Sequence, residues 1–173
     1  MTSRSISPEG AAVPFSLRRS HEVVAGLEVT STTETIDGLL RLEPTQLVIQ
    51  WRIHRATDLV GMEIRTDQEV EPVQETSIAL AGLSGAEVTG TWWAFGRRPR
   101  LILRAADLKA FEPLAGPMGL ALTHPARLEV RIQPNDADAA RGFAADLGLA
   151  IGDRALRLAG SDPDGRARIG PVD

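Results

Sequence analysis

A chain of 173 residues with 43% hydrophobic content fits one globular domain, large enough to bury roughly 70% of its unfolded surface. A net charge of −4 argues against general nucleic-acid binding, and no apolar run reaches the ~20 residues of a membrane span. The absence of cysteine excludes a disulfide framework and thiolate metal sites, and points to a reducing cytoplasm. Lys109 stands alone among many arginines, beside abundant Ala, Gly and Pro; we read this as the coding bias expected of a GC-rich bacterial sequence rather than as chemistry.

Residues 1–12 are rich in Ser, Pro, Gly and Ala without periodicity, which predicts disorder. Arg4 is not followed by the apolar centre of a secretory signal. Val13, Phe15 and Leu17 alternate and open a first strand, and Val23, Ala25, Leu27 and Val29 predict a second. Residues 31–35 are dense in hydroxyls and read as a loop. Residues 38–53 form the clearest hairpin. Leu40 and Leu42 share one face, Glu43-Pro44-Thr45-Gln46 turns the chain, and Leu47, Ile49, Trp51 and Ile53 return.

Met62 and Ile64 alternate with Glu63 and Arg65 in a short strand. Val70 and Val73 straddle Pro72, which restricts that segment to a sheet edge. Ile78, Leu80 and Leu83 suit either a helical turn or a strand end. Ala86, Val88 and Trp92 begin another strand, residues 96–99 reverse the chain, and Leu101 and Leu103 bring it back. Residues 105–111 read as a helical turn, and residues 112–125 as a proline-broken loop.

The last strand is residues 127–132, where Leu128, Val130 and Ile132 alternate with charged residues. Pro134 stops it and Asn135 is placed to cap a helix. Asp136 and Asp138 complement the helix dipole, and Ala140, Phe143, Ala144, Leu147 and Ile151 form one apolar stripe. Gly152 is placed to end this helix, with Asp153 capping a further short turn through Leu158. The expected domain spans residues 13–159, followed by a flexible tail over 160–173.

About seven strands followed by one amphipathic helix predict a mainly β (α+β) fold, a bent antiparallel β-barrel or sandwich closed by the helix. The order resembles the bacterial pleckstrin-homology-like (PH-like) domain. The resemblance rests on Asp37-Gly38-Leu39-Leu40-Arg41-Leu42-Glu43, on residues 99–104 followed by Asp107-Leu108, and on residues 128–132 running into the helix. It covers most of residues 13–151 and implies a fold, with no functional residues attached. Phosphoinositide-binding members carry basic residues between their first two strands. The equivalent expected here, residues 30–37, has two acids and no Lys or Arg.

Catalytic and metal motifs are absent from the pattern. His21, His54 and His124 are far apart and lack a zinc-protease spacing. Residues 81–85 come nearest to a nucleophile elbow but lack its strand-turn-helix context. Pro117 spoils the glycine-rich stretch 115–119 as an anion cradle, and Asp162-Pro163-Asp164-Gly165 lacks the remaining ligands of a calcium loop. The exposed candidate is the 92–100 hairpin, where Trp93, Phe95, Arg97, Arg98 and Arg100 combine aromatic area with positive charge, as interface centres do. The plainer reading makes the aromatics caps of a barrel rim and the arginines guards of its edge. The sequence therefore predicts a non-catalytic, cofactor-free cytoplasmic binding module with a protein partner or self-association, and no membrane attachment. Its rival is a small-molecule or lipid carrier using the barrel interior or rim.

Overall fold

The computed structural model describes residues 11–26, 28–60, 64–90, 98–116, 119–120 and 122–160. Three long strands carry the architecture: β1 (Ala12–Ala25), β2 (Glu28–Leu42) and β3 (Gln46–Val60), paired as consecutive antiparallel hairpins. The β2–β3 turn forms where expected, with the Glu43 N–H donating to the Gln46 carbonyl at 2.9 Å. β4 (Ile64–Val70) and β5 (Gln74–Ala79) share the other side of β3, one on its far half and one on its near half. Pro72 lies in the break between them, where a missing donor costs no ladder bond.

A 3₁₀ turn at Leu80–Gly82 leads to β6 (Leu83–Thr89), β7 (Arg100–Ala105) and β8 (Arg127–Arg131), and then to α1 (Ala137–Gly160). The strand order is β4-β3-β2-β1-β8-β7-β6, with β5 beside β3. This path has two ends, so the sheet is open and is not a closed barrel. The fold is a mainly antiparallel, sandwich-like sheet capped by one C-terminal helix.

The near half of the long strands builds the core. Val13, Phe15, Ile36, Leu40, Leu47, Ile49, Trp51 and Ile53 pack with Leu101 and Leu103 of β7 and Leu128 and Val130 of β8. Ala140, Phe143 and Leu147 close this core from α1, and Ala144 and Ile151 pack against its margin, as the helical stripe predicts. Beyond Leu17, Ile36 and Ile53 the alternation loses its apolar phase, and the far halves of β1–β3 together with β4 run on as a four-stranded arm. Most side chains on this arm are exposed or half-buried.

Four local expectations are corrected. The strand predicted over residues 23–29 is a hairpin end instead: Ala25 faces Glu28 across a turn in which Gly26 adopts φ 66°. The hydroxyl-rich loop at 31–35 is the middle of β2, paired on both sides. β-branched threonines suit a strand wet on both faces, and the segment compared with a lipid-binding loop is therefore not a loop. Asn135 does not cap α1, because Pro134–Asp136 form a 3₁₀ turn without a side-chain cap. Gly152 does not end the helix, which continues to Gly160; a glycine costs about 1 kcal/mol in a helix without breaking it. Residues 1–10 and 161–173, the predicted tails, fall outside the described residues.

Candidate binding cleft

β1 and β8 are neighbours at one register pair only, Ser16 opposite Arg131. Past that point β8 follows β7, because Leu128, Val130 and Ile132 bury against the core. β1 instead follows β2 outward along Arg18-Arg19-Ser20-His21-Glu22, a run with nothing to bury. The two strands part, and a cleft of about 600 Å³ opens between them. Its walls are Ser16, Leu17 and Arg18 of β1, Thr35 and Asp37 of β2, and Arg98, Arg100, Arg131 and Gln133.

The register explains how the arginines converge. Paired residues in an antiparallel sheet point to the same face. Arg100 pairs with Arg131, Arg131 with Ser16, Ser16 with Asp37, and Asp37 with Arg52, so one cross-strand row carries this charge. Arg98 and Arg100 are held on either side of Pro99, which is buried and accepts a hydrogen bond from the Ile132 N–H at 2.8 Å.

The charges are unequal in their freedom. Arg100 is bound to Glu129 at 2.5 Å, and Glu129 also receives Arg127 at 2.9 Å. Arg18, Arg98 and Arg131 are exposed and make no ion pair among the described residues. Asp37 is the one acid in the wall of the cleft among the described residues. A second, adjoining hollow of about 280 Å³ continues past Arg19 and Arg127. Three uncommitted guanidiniums around one opening, on a chain whose net charge is −4, form a local positive site for carboxylate or phosphate groups.

The structure thus places Arg98 and Arg100, two of the sequence-predicted contact residues, at this cleft. Trp93, Phe95 and Arg97 lie outside the described residues. Sequence reasoning missed Arg18 and Arg131. Both fall on the wet phase of alternating strands, and no local pattern shows that those strands separate after one shared pair.

The arm beside the cleft has its own charge order. Glu34 on β2 accepts hydrogen bonds from Arg19 on β1 and, at 2.9 Å, from Nε of Arg55 on β3. Arg55 also donates to Glu69 at 3.0 Å and to Glu71 at 2.8 Å. Partial burial opposes the charge on Glu34, but the two guanidinium hydrogen bonds and their charges outweigh it and hold its pKa below the ordinary carboxylate value. The same hydrogen bond to Glu34 is the main reason that the Arg55 pKa is raised. Among the described residues no cluster of His, Asp and Glu could hold a metal ion, and no helix is long and apolar enough to cross a membrane. Comparison with protein-family models, curated proteins and solved structures found no match.

Proposed function

We propose that this chain is a non-catalytic binding module of PH-like architecture that recognises an acidic segment of a protein partner in the β1–β8 cleft. The observation that carries the reading is the convergence of Arg18, Arg98 and Arg131, none spent on an ion pair among the described residues, around one opening. A guanidinium fork matches a carboxylate bidentately, and an exposed arginine without an ion pair has no partner to give up before it binds one. The strand order, with one C-terminal helix closing the core, supports the PH-like comparison. The cleft shares Thr35 and Asp37 with the segment compared with a phosphoinositide-binding loop, but its arginines, Arg18, Arg98, Arg100 and Arg131, all lie outside that segment. The filled interior, with Phe111, Phe143, Leu40 and Ile49 fully buried, favours a surface site over the carrier reading.

Calorimetric titration with a hexaglutamate peptide tests this. Binding is expected at low salt, weaker as salt screens the charges, and lost in Arg18→Glu/Arg131→Glu. Both residues are exposed, so the variant should keep its fold. No binding by the parent protein, or equal binding by the variant, would overturn the proposal.

A further inference from the structure

Among the described residues the arm is a sheet with two unpaired edges, and their chemistry is complementary. There β4 ends the strand order, and β1 beyond Ser16 pairs only with β2. Neither exposed stretch, residues 19–25 or 64–70, contains a proline, the residue that most simply blocks strand addition. Following the register across β1-β2-β3-β4 gives rows of side chains that share a face. One row is Arg19–Glu34–Arg55–Glu69, alternating in sign from a cation on the β1 edge to an anion on the β4 edge. The next row on that face, His21–Thr32–Thr57–Asp67, ends in a histidine and a carboxylate. On the opposite face, Val24–Val29–Val60–Ile64 is apolar throughout, with Val24 69%, Val60 48% and Ile64 81% exposed.

We infer that the arm joins copies of this chain head to tail, the β4 edge of one adding to the β1 edge of the next. Strand polarity permits it: β4 runs antiparallel to β3 and β3 antiparallel to β2, so an added β4 meets β1 antiparallel. One register satisfies all three rows together. It sets Arg19 opposite Glu69, His21 opposite Asp67, and Val24 opposite Ile64 of the neighbouring copy. The ionic row then continues its alternation without a like-charge contact, and the apolar row continues as an apolar row. Pairing β4 with β4 across a two-fold axis centred on Asp67 or Gln68 would instead set acidic residues of the two copies opposite each other. Opposite charges across a strand pair stabilise and like charges oppose it. Because the two edges differ, the contact is heterologous, and it yields chains or a closed ring rather than an isologous dimer. The pairing does not rest on the cleft reading.

Sedimentation velocity over a wide concentration range, with His21→Asp, Asp67→Lys and the double variant, tests the pairing. Within one copy His21 and Asp67 neighbour Thr32 and Thr57 in their row. Asp67 also holds an exposed ion pair with Arg65 at 3.1 Å, and the loss of such a surface pair costs little, so thermal melts should stay close to the parent's. Mass-dependent assembly is expected in the parent. Each single variant should weaken it by about tenfold, and the double variant, which restores opposite charges across the contact, should recover it. A protein that stays monomeric at every concentration would sink the inference. So would assembly indifferent to the substitutions, a double variant as weak as the singles, or loss with His21→Asp but not Asp67→Lys, which would indicate β1–β1 pairing.

Discussion

Ser16 on β1 faces Arg131 on β8, and past this pair the two strands diverge. The sheet is stitched into one path at that point, and the arginine cleft opens directly beside it. Core and site therefore share a cause. Apolar alternation holds β8 on the core through Leu128 and Val130, whereas in β1 it stops at Leu17, so the cleft begins where β1 has nothing further to bury.

Close approach of strands in the same region leaves no room at Gly38 for a methyl group without a shift of its neighbours. Gly38 sits opposite Phe15 on one side and Trp51 on the other. A Cβ there would lie 2.5 Å from the Gln50 carbonyl oxygen and would collide with the Phe15 ring. The ring can turn but the backbone carbonyl must shift, so Gly38→Ala should cost about 1–3 kcal/mol, as overpacking does. Urea unfolding reads this directly. A midpoint equal to the parent's would show that the β2–β3 pair has slack here.

Gly152 predicts the opposite sign. It lies in the helix interior on the exposed side, with no heavy atom within 4 Å of an added Cβ. Alanine loses less backbone freedom than glycine on entering a helix, so Gly152→Ala should stabilise by about 0.5–1 kcal/mol. A chemical melt that shows no gain, or a loss, would mean that the last turns of α1 are not formed in solution.

These two glycines also show which parts of the fold are legible in the sequence. The core-facing stretches follow clean periodicities: Leu47, Ile49, Trp51 and Ile53 at period two, and Ala140, Phe143, Ala144, Leu147 and Ile151 at helical spacing, and all face or flank the core. The arm gives no such signal, because a strand wet on both faces has no apolar phase. Thr32, Thr33 and Thr35 consequently read as a loop although they pair on both sides. Gly152 resembled a stop because local propensity cannot weigh the helix formers that follow it. At the cleft, Arg98 and Arg100 were legible as a cluster within one hairpin. Arg18 and Arg131 join them only through long-range strand pairing, which the sequence does not display.

The helix itself should be indispensable. Phe143 is fully buried beneath the sheet, together with Leu147 one turn further on. Phe143→Ala removes a ring from a packed core and should cost about 3–5 kcal/mol, a large part of a domain's stability. A urea midpoint unchanged from the parent would mean that α1 does not seal the core.

Acid should loosen the arm before it unfolds the body. The Glu34 pKa is held below its usual 4.5 by Arg19 and Arg55. A carboxylate with a depressed folded-state pKa contributes stability that is present above the unfolded value and is lost as pH falls through the folded one. The loss should therefore begin as pH drops past the ordinary carboxylate range, and it should appear first on the strands that Glu34 links. Once protonated, Glu34 no longer balances the guanidiniums of Arg19 and Arg55. Amide hydrogen exchange at stepped pH, referenced to the intrinsic rates, should show protection falling in the arm segments of β1, β2 and β3 while Leu101, Leu103 and Leu128 stay protected. Glu34→Gln, which cannot ionise, should show weaker arm protection at neutral pH and little further change in acid. Equal acid sensitivity in the two proteins would assign the effect to other carboxylates and remove Glu34 from the account.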